Sequence, residues 1–498
     1  MGLLLKRQKL VLLLIILGIL VVQLNGTKPY ELEVHAQGNT EDVEAELNKL
    51  LTSMPNLKGS LAGISIREQS SGQVVYEQMA HTRLAPASNL KLLTAAATLS
   101  VLGSDYTFDT VIYTDGKLVN GVLSGDLYVK GKGDTTLLQS DLENIAKSLH
   151  DKGIKKINGS IIGDASWYDD VPYSIDLAWS DESTYYGAPV SGLTMSPDKE
   201  YDAGTILIKA SPGANAGSPA KLTIKPSVSN LDIANRTSTV NKDGKEDIQS
   251  VRKHGEDSIT IKGDIPVGSG ATKSWVAIEN PPELVLNVFQ QALTNQGITW
   301  TGEVKEGITP ELSTPIHVHK SLPLSKIVVP FLKLSNNTIG ETLLKELGKV
   351  EKGEGSFEKG VAVLKEQMKK FGLDTSGMLI RDGSGISPID LITANDLSTL
   401  LFHIQKEAWF SDYEKALPVS GNKDRMIGGT LRNRLQSENT LGKVKAKTGT
   451  LSAVSSLSGY VESKSGKKYI FSIMLNHLID ESSGKMMEDQ IVELLASH

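Results

Sequence analysis

PASNLKLLTAAATLSVLG, Pro86–Gly103, sets Ser88 at the head of a run of leucines and alanines, with Lys91 three residues behind it. The run reads as a helix. Residues three apart share a helix face, and the free N–H groups and positive dipole end of the first turn lie beside the serine. Lys91 is flanked by Leu90, Leu92 and Leu93, so it is partly desolvated; desolvation disfavours its charged form and lets it accept the serine proton. The plainer alternative makes Ser88 an N-cap and Lys91 a snorkelling surface lysine. Ser-x-x-Lys occurs eight times in the chain, so the spacing alone decides nothing. Only the Ser88 copy heads a long apolar helix.

Two further stretches bear on that choice. In LSNNTIG, Leu334–Gly340, Ser335 and Asn337 sit between two helical patterns. On a connecting turn both can face one cleft, the serine to relay a proton and the asparagine amide to hold a substrate carbonyl. The bland reading is that Ser335 or Asn336 caps the next helix. KVKAKTGTLSAVSSLSGY contains the chain's only Lys-Thr-Gly, Lys447–Gly449, where Lys443, Lys445 and Lys447 alternate with Val444 and Ala446. Alternation predicts a strand with one buried face, Lys447 projecting from the other to hold a carboxylate. Gly449 admits a close ligand backbone, and the strand can pair with an extended peptide. The N–H of Thr450, with that of Ser88, makes an oxyanion hole. The alternative is an exposed strand whose lysines guard a sheet edge.

Around these stretches the chain predicts an α/β domain whose sheet is completed by both ends. A hairpin, SLAGISIREQSSGQVVYEQM, precedes the nucleophile helix, and helical patterns give way near the C-terminus to strands and a last helix. Tyr106 to Val276 reads instead as short β-rich runs, an insertion. At 498 residues the chain is too long for one core. Its net charge of -6 shows no basic stripe, which sets nucleic acid aside. Lys6, Arg7 and Lys9 precede the apolar run Leu10–Val22, so residues 1–36 read as a signal peptide or an uncleaved membrane anchor, and the body as exported. There are no cysteines, which excludes disulfides, a thiolate metal site and a cysteine nucleophile.

Ser-x-x-Lys, a Ser-x-Asn analogue and Lys-Thr-Gly, in this order, form the constellation of the penicillin-recognising serine acyl enzymes. With the blocks LYVKGKGDTTL, IIGDASWYDD, LSNNTIGETLLKELG, RDGSGIS and GGTLRNR, the chain resembles the D-alanyl-D-alanine carboxypeptidases/endopeptidases of the class C penicillin-binding proteins, in the branch with large insertions after the nucleophile. The resemblance implies a transpeptidase/β-lactamase-like domain, an antiparallel sheet with helices on both faces, from residues 38–104 and 280–498. It implies two inserted, mostly β, modules, one of residues 105–186 and 264–279, the other of 187–263. It implies an acyl-enzyme on Ser88 with Lys91 as general base, Ser335 relaying the proton, Asn337 orienting substrate and Lys91, and Lys447 with Thr448 holding the terminal carboxylate. Peptidoglycan stem peptides are then the substrate, β-lactams are acylating inhibitors, and neither metal nor cofactor is needed.

Asp164 matches a family position facing a diaminopimelate amino group; its other reading is a turn carboxylate. Where family members often carry an arginine after DGSG for that residue's acidic end, this chain has Pro388. Ser384 lacks an adjacent base and reads as a turn residue, the KSG at Lys464 reads as a hairpin turn, and His317 and His319 have no carboxylate cluster to make a metal site. Two rivals remain: a β-lactamase or esterase on the same nucleophile, and a non-catalytic cell-wall scaffold.

Overall fold

The computed structural model describes residues 40–227 and 231–498. The expected export segment, 1–36, lies outside the described residues. Of the unit 1–45 only the start of the helix Thr40–Thr52 is described; the sheets, the other helices and the cleft all belong to the unit 46–498. No helix among the described residues is long and apolar enough to cross a membrane.

Both ends of the chain build one five-stranded sheet, in the order Val444–Leu451, Val454–Glu462, Lys468–Asn476, Leu61–Glu68, Val74–Gln78, with every neighbouring pair antiparallel. Strand Val454–Glu462 is buried on both faces, and its alternate side chains show what covers each. Ser455 Oγ donates at 2.6 Å to Glu488 of the last helix, Glu481–Ser497. From the opposite face Ser456 Oγ donates to the Pro86 carbonyl at 2.7 Å, and Tyr460 O–H to that of Leu401 at 2.8 Å, in the helix Ala394–His403. Helices therefore cover both faces, as the α/β reading predicts.

The leucine and alanine run forms the helix Lys91–Leu102, buried all round from Leu92 to Leu99. It shares a core with the helices Leu324–Lys333, Asn337–Lys352 and Phe357–Lys370, through side chains such as Leu92, Phe331, Leu343 and Leu364. A helix apolar on every side is stable only when enclosed in this way.

Residues between the two halves form a second core and, among the described residues, four further sheets. Strand Thr272–Ala277 pairs with Thr205–Ser211 over six residues, so it completes the second insert, although 264–279 were expected in the first. Helix Pro281–Asn295, expected in the catalytic domain, buries Val285, Phe289 and Leu293 in the second core; Val304–Glu306 and Thr314–Lys320 likewise pair with insert strands. Amphipathic periodicity shows that this helix has a buried face but not which core receives it; the buried residues of the first core resume at Leu324.

Candidate active site

Ser88 lies in a short 3-10 turn, Ala87–Leu90, that runs directly into the helix beginning at Lys91. It is not the N-cap: that position is Leu90, and no side chain caps the helix. The turn is entered through Ala87 at φ +47°, a conformation rare for a residue with a Cβ. Ser88 is half-buried on the wall of a cleft of about 560 Å³.

Lys91 is fully buried, and its Nζ donates to three acceptors: Ser88 Oγ at 2.9 Å, Asn337 Oδ1 at 2.6 Å and the Ser384 carbonyl at 2.7 Å. Burial brings its pKa down to about 7, against the pull of Glu341 and Asp382 toward the charged form. It is no snorkelling lysine.

Ser335 has φ +61° on the turn between the helices Leu324–Lys333 and Asn337–Lys352. Asn336 caps the second helix, its side chain accepting from the Ile339 N–H at 3.0 Å, and Asn337 opens the first turn. Asn337 is held from both ends, its oxygen by Lys91 and its Nδ2 donating to the Tyr186 carbonyl at 2.9 Å.

Strand Val444–Leu451 is the edge strand beside the cleft. Lys447 projects from the face opposite Val444 and Ala446, but that face is covered as well, and Lys447 is fully buried. Its Nζ donates to Ser335 Oγ at 2.8 Å and to the Thr448 carbonyl at 2.6 Å. Burial first, then the neighbouring Lys91, pushes the Lys447 pKa well below the usual lysine range. The Ala446 N–H points outward to the Pro418 carbonyl, and strand alternation aims those of Thr448 and Thr450 the same way, along the cleft. A Cβ at Gly449 would stand 2.3 Å from Ser456 Oγ and 2.9 Å from the Ser88 nitrogen, so the strand reaches the nucleophile turn only because this residue is glycine.

Ser88, Lys91, Ser335, Asn337, Lys447, Thr448, Gly449 and Thr450 are thus brought together. Asp164 is not. It is fully buried, accepts from Ser166 and from the Thr309 N–H, and lies 3.0 Å from Lys130 Nζ. Burial raises its pKa, but these hydrogen bonds outweigh that and bring it down to about 2. The insert carboxylate on the cleft wall is Asp181, joined there by Tyr185 and Tyr186. Thr430 of the GGTLRNR block also lines the cleft, accepting from Thr448 Oγ1 at 2.8 Å. The SDESTYYG run around Asp181 was the available signal, an acidic and aromatic loop in an otherwise β-rich insert. His317 faces Ser148 and His319 faces Asp134, and among the described residues no His, Asp and Glu group is placed to hold a metal.

The sequence profile of the D-Ala-D-Ala carboxypeptidase 3 (S13) family matches residues 43–498. A D-alanyl-D-alanine carboxypeptidase of Actinomadura sp. (strain R39) is 33% identical over 440 residues, covering 88% of this chain and 80% of that relative. Penicillin binding protein 4 (dacB) from Haemophilus influenzae, at 22% identity, matches with a TM-score of 0.77 over 91% of this chain and 99% of its own. A second crystal structure of that protein, complexed with a β-lactam, matches at 0.71 and 22% identity over 91% and 100%. At that identity the likeness is one of fold.

Proposed function

This chain belongs to the D-Ala-D-Ala carboxypeptidase 3 (S13) family, and on that premise we propose that it cleaves the terminal D-Ala-D-Ala bond of peptidoglycan stem peptides through an acyl-enzyme on Ser88. The observation that carries the reading is the placement of Lys91, buried and 2.9 Å from Ser88 Oγ. A lysine with its pKa near 7 is neutral often enough to take the serine proton as Oγ attacks the carbonyl carbon. The Ser88 and Thr450 N–H groups stabilise the developing oxyanion. The proton taken by Lys91 passes through Ser335, held by Lys447, to the departing D-Ala nitrogen; water then attacks the acyl carbonyl, its proton going by way of Lys91 to Ser88 Oγ, which releases the shortened peptide and restores Ser88.

Lys447, Thr448 and Thr430 hold the terminal carboxylate. An anion arriving beside a buried lysine favours its charged form, so substrate itself supports the Lys447 cation. Asp181 replaces Asp164 as the group facing a side-chain amine of the stem peptide. Cross-linked peptides are a second substrate, β-lactams acylate Ser88 as acyl mimics, and the enzyme acts outside the cytoplasm, delivered by the segment containing Leu10–Val22.

A fluorescent penicillin labels the protein covalently on this reading, and Ser88→Ala abolishes the labelling; undiminished labelling of that variant would remove Ser88 from the mechanism. D-Ala release from a pentapeptide, set against cleavage of a cross-linked dimer, decides between the two peptidase activities. Turnover of a β-lactam without either would favour a lactamase.

A further inference from the structure

Asp382, Gly383, Ser384 and Gly385 form a buried strap across the helices that carry Lys91 and Asn337. Its glycines let it lie there. A Cβ at Gly383 would stand 2.4 Å from the Gly340 carbonyl oxygen, and one at Gly385, where φ is +76°, 2.0 Å from that of Ala87.

Two successive peptide groups of this strap run from a carboxylate to the nucleophile's helix. In the first, the Ser384 N–H donates to Glu341 Oε1 at 3.0 Å, and the Gly383 carbonyl accepts from Thr94 Oγ1 at 2.7 Å. In the second, the Gly385 N–H donates to Asp382 Oδ1 at 2.7 Å, and the Ser384 carbonyl accepts from Lys91 Nζ at 2.7 Å. The remaining carboxylate oxygens are satisfied too. Glu341 Oε2 accepts from the Gly383 N–H at 2.7 Å, and Asp382 Oδ2 from the Ser387 N–H at 2.7 Å and from Ser174 Oγ at 3.2 Å.

From this we infer that Asp382 and Glu341 are positioning residues for Lys91: Asp382 acts through the peptide whose Ser384 carbonyl holds Nζ beside Ser88, Glu341 pins the same strap through the Gly383 and Ser384 N–H groups, and the two supply the negative charge behind Nζ. The inference rests on the reading of Lys91 as the base. A carboxylate on the N–H side of a peptide polarises it, so its carbonyl accepts more strongly. Of the charged groups around Lys91, Glu341 and Asp382 favour its ammonium, and Lys91 in turn disfavours that of Lys447. Asp390, behind Asp382, has its pKa raised well above the carboxylate range, by burial first and then by Asp382. Glu341 is itself pushed up to about 8, chiefly by burial, so at neutral pH it is only partly ionised.

The test is the pH profile of Ser88 acylation by a fluorescent penicillin, measured on the full chain with folding followed by thermal melting. Acylation by the unsubstituted protein falls as pH drops through about 7, where Lys91 takes up its proton. Removing an anion that favours the ammonium moves this acid limb to lower pH. Asp382→Asn is expected to move it by about one unit and to lower the plateau roughly tenfold or more, and Glu341→Gln to move it the same way by less. Thr94→Val, which removes one hydroxyl and no charge, lowers the plateau a few-fold, on the order of a lost hydrogen bond, and leaves the limb in place. A folded Asp382→Asn or Glu341→Gln protein whose limb stays put or moves up overturns the inference. If neither folds, an unchanged plateau in Thr94→Val overturns it and a lowered plateau with an unmoved limb supports it. Failure of the unsubstituted protein to label at all counts against Ser88 as nucleophile instead.

Discussion

A lysine three residues from a serine is common in this chain; what makes Lys91 different is that its fully buried amine is enclosed by three oxygen acceptors. The same closeness makes Gly449 sensitive. Its φ is not left-handed, so alanine there leaves the backbone conformation alone and acts by contact. The added carbon meets Ser456 Oγ, which holds the Pro86 carbonyl at 2.7 Å, and so pushes on the turn that carries Ser88. Gly449→Ala is expected to slow penicillin acylation by about 100-fold, on the order of what a misplacement of about 1 Å costs, while the protein still melts cooperatively. Acylation within a few-fold of normal would mean that the turn is not held by this contact. The residues of the site were legible because their types and order are restrictive, whereas their surroundings were not. Alternation placed Lys447 opposite Val444 and Ala446, yet could not show that the second face is buried too. Asp164 ends the strand Ile161–Asp164 and Asp181 lies in a loop, and only tertiary packing puts one beside Lys130 and the other on the cleft wall.

At the scale of elements, the loop Leu334–Asn336 is held by the insert as well as by its own helices. Asn336 caps the helix Asn337–Lys352, and its Nδ2 donates at 2.9 Å both to the Tyr201 carbonyl and to Asp202 Oδ1. Asp202 is nearly buried, and burial, then Glu200 and Asp198, raises its pKa to about 8. A carboxyl that binds its proton more tightly folded than unfolded stabilises the fold fully at pH below about 4, and loses that contribution as pH rises to about 8. Asp202→Asn keeps the oxygen that Asn336 needs and has no proton to lose. It should therefore be more stable than the unsubstituted protein at pH 8, by several kcal/mol at about 1.4 kcal/mol per pKa unit, with the advantage shrinking toward pH 5; denaturant titrations at both pH values check this. An equal difference at both would assign Asp202 no titration in this range. Element types were legible here from periodicity and turn residues, but partners were not: the helix Pro281–Asn295 shows one apolar stripe in the sequence, and its assignment to the second core depends on contacts with residues more than a hundred positions away.

Over the whole molecule, one site is assembled from chain segments far apart in sequence, and the insert supplies one wall of it. The turn Tyr185–Gly187 gives its Tyr186 carbonyl to Asn337, while Asp181 and Tyr185 line the same cleft as Thr448 to Leu451 of the strand Val444–Leu451. The two contributions separate by substrate. On the proposed reading a penicillin is attacked by Ser88 among groups of the catalytic core, whereas a stem peptide also presents a side-chain amine, and Asp181 is the insert carboxylate on the cleft wall. Asp181→Asn should raise KM for a pentapeptide with a free side-chain amine by about tenfold, the loss of one charge-assisted hydrogen bond of roughly 1.5 kcal/mol. It should change neither kcat nor penicillin acylation by more than about two-fold, because the interaction is equal in ground and transition states. The same peptide acetylated on that amine provides the control, since its KM should not respond to the substitution. If both peptides respond alike, the insert shapes the cleft without reading the side chain.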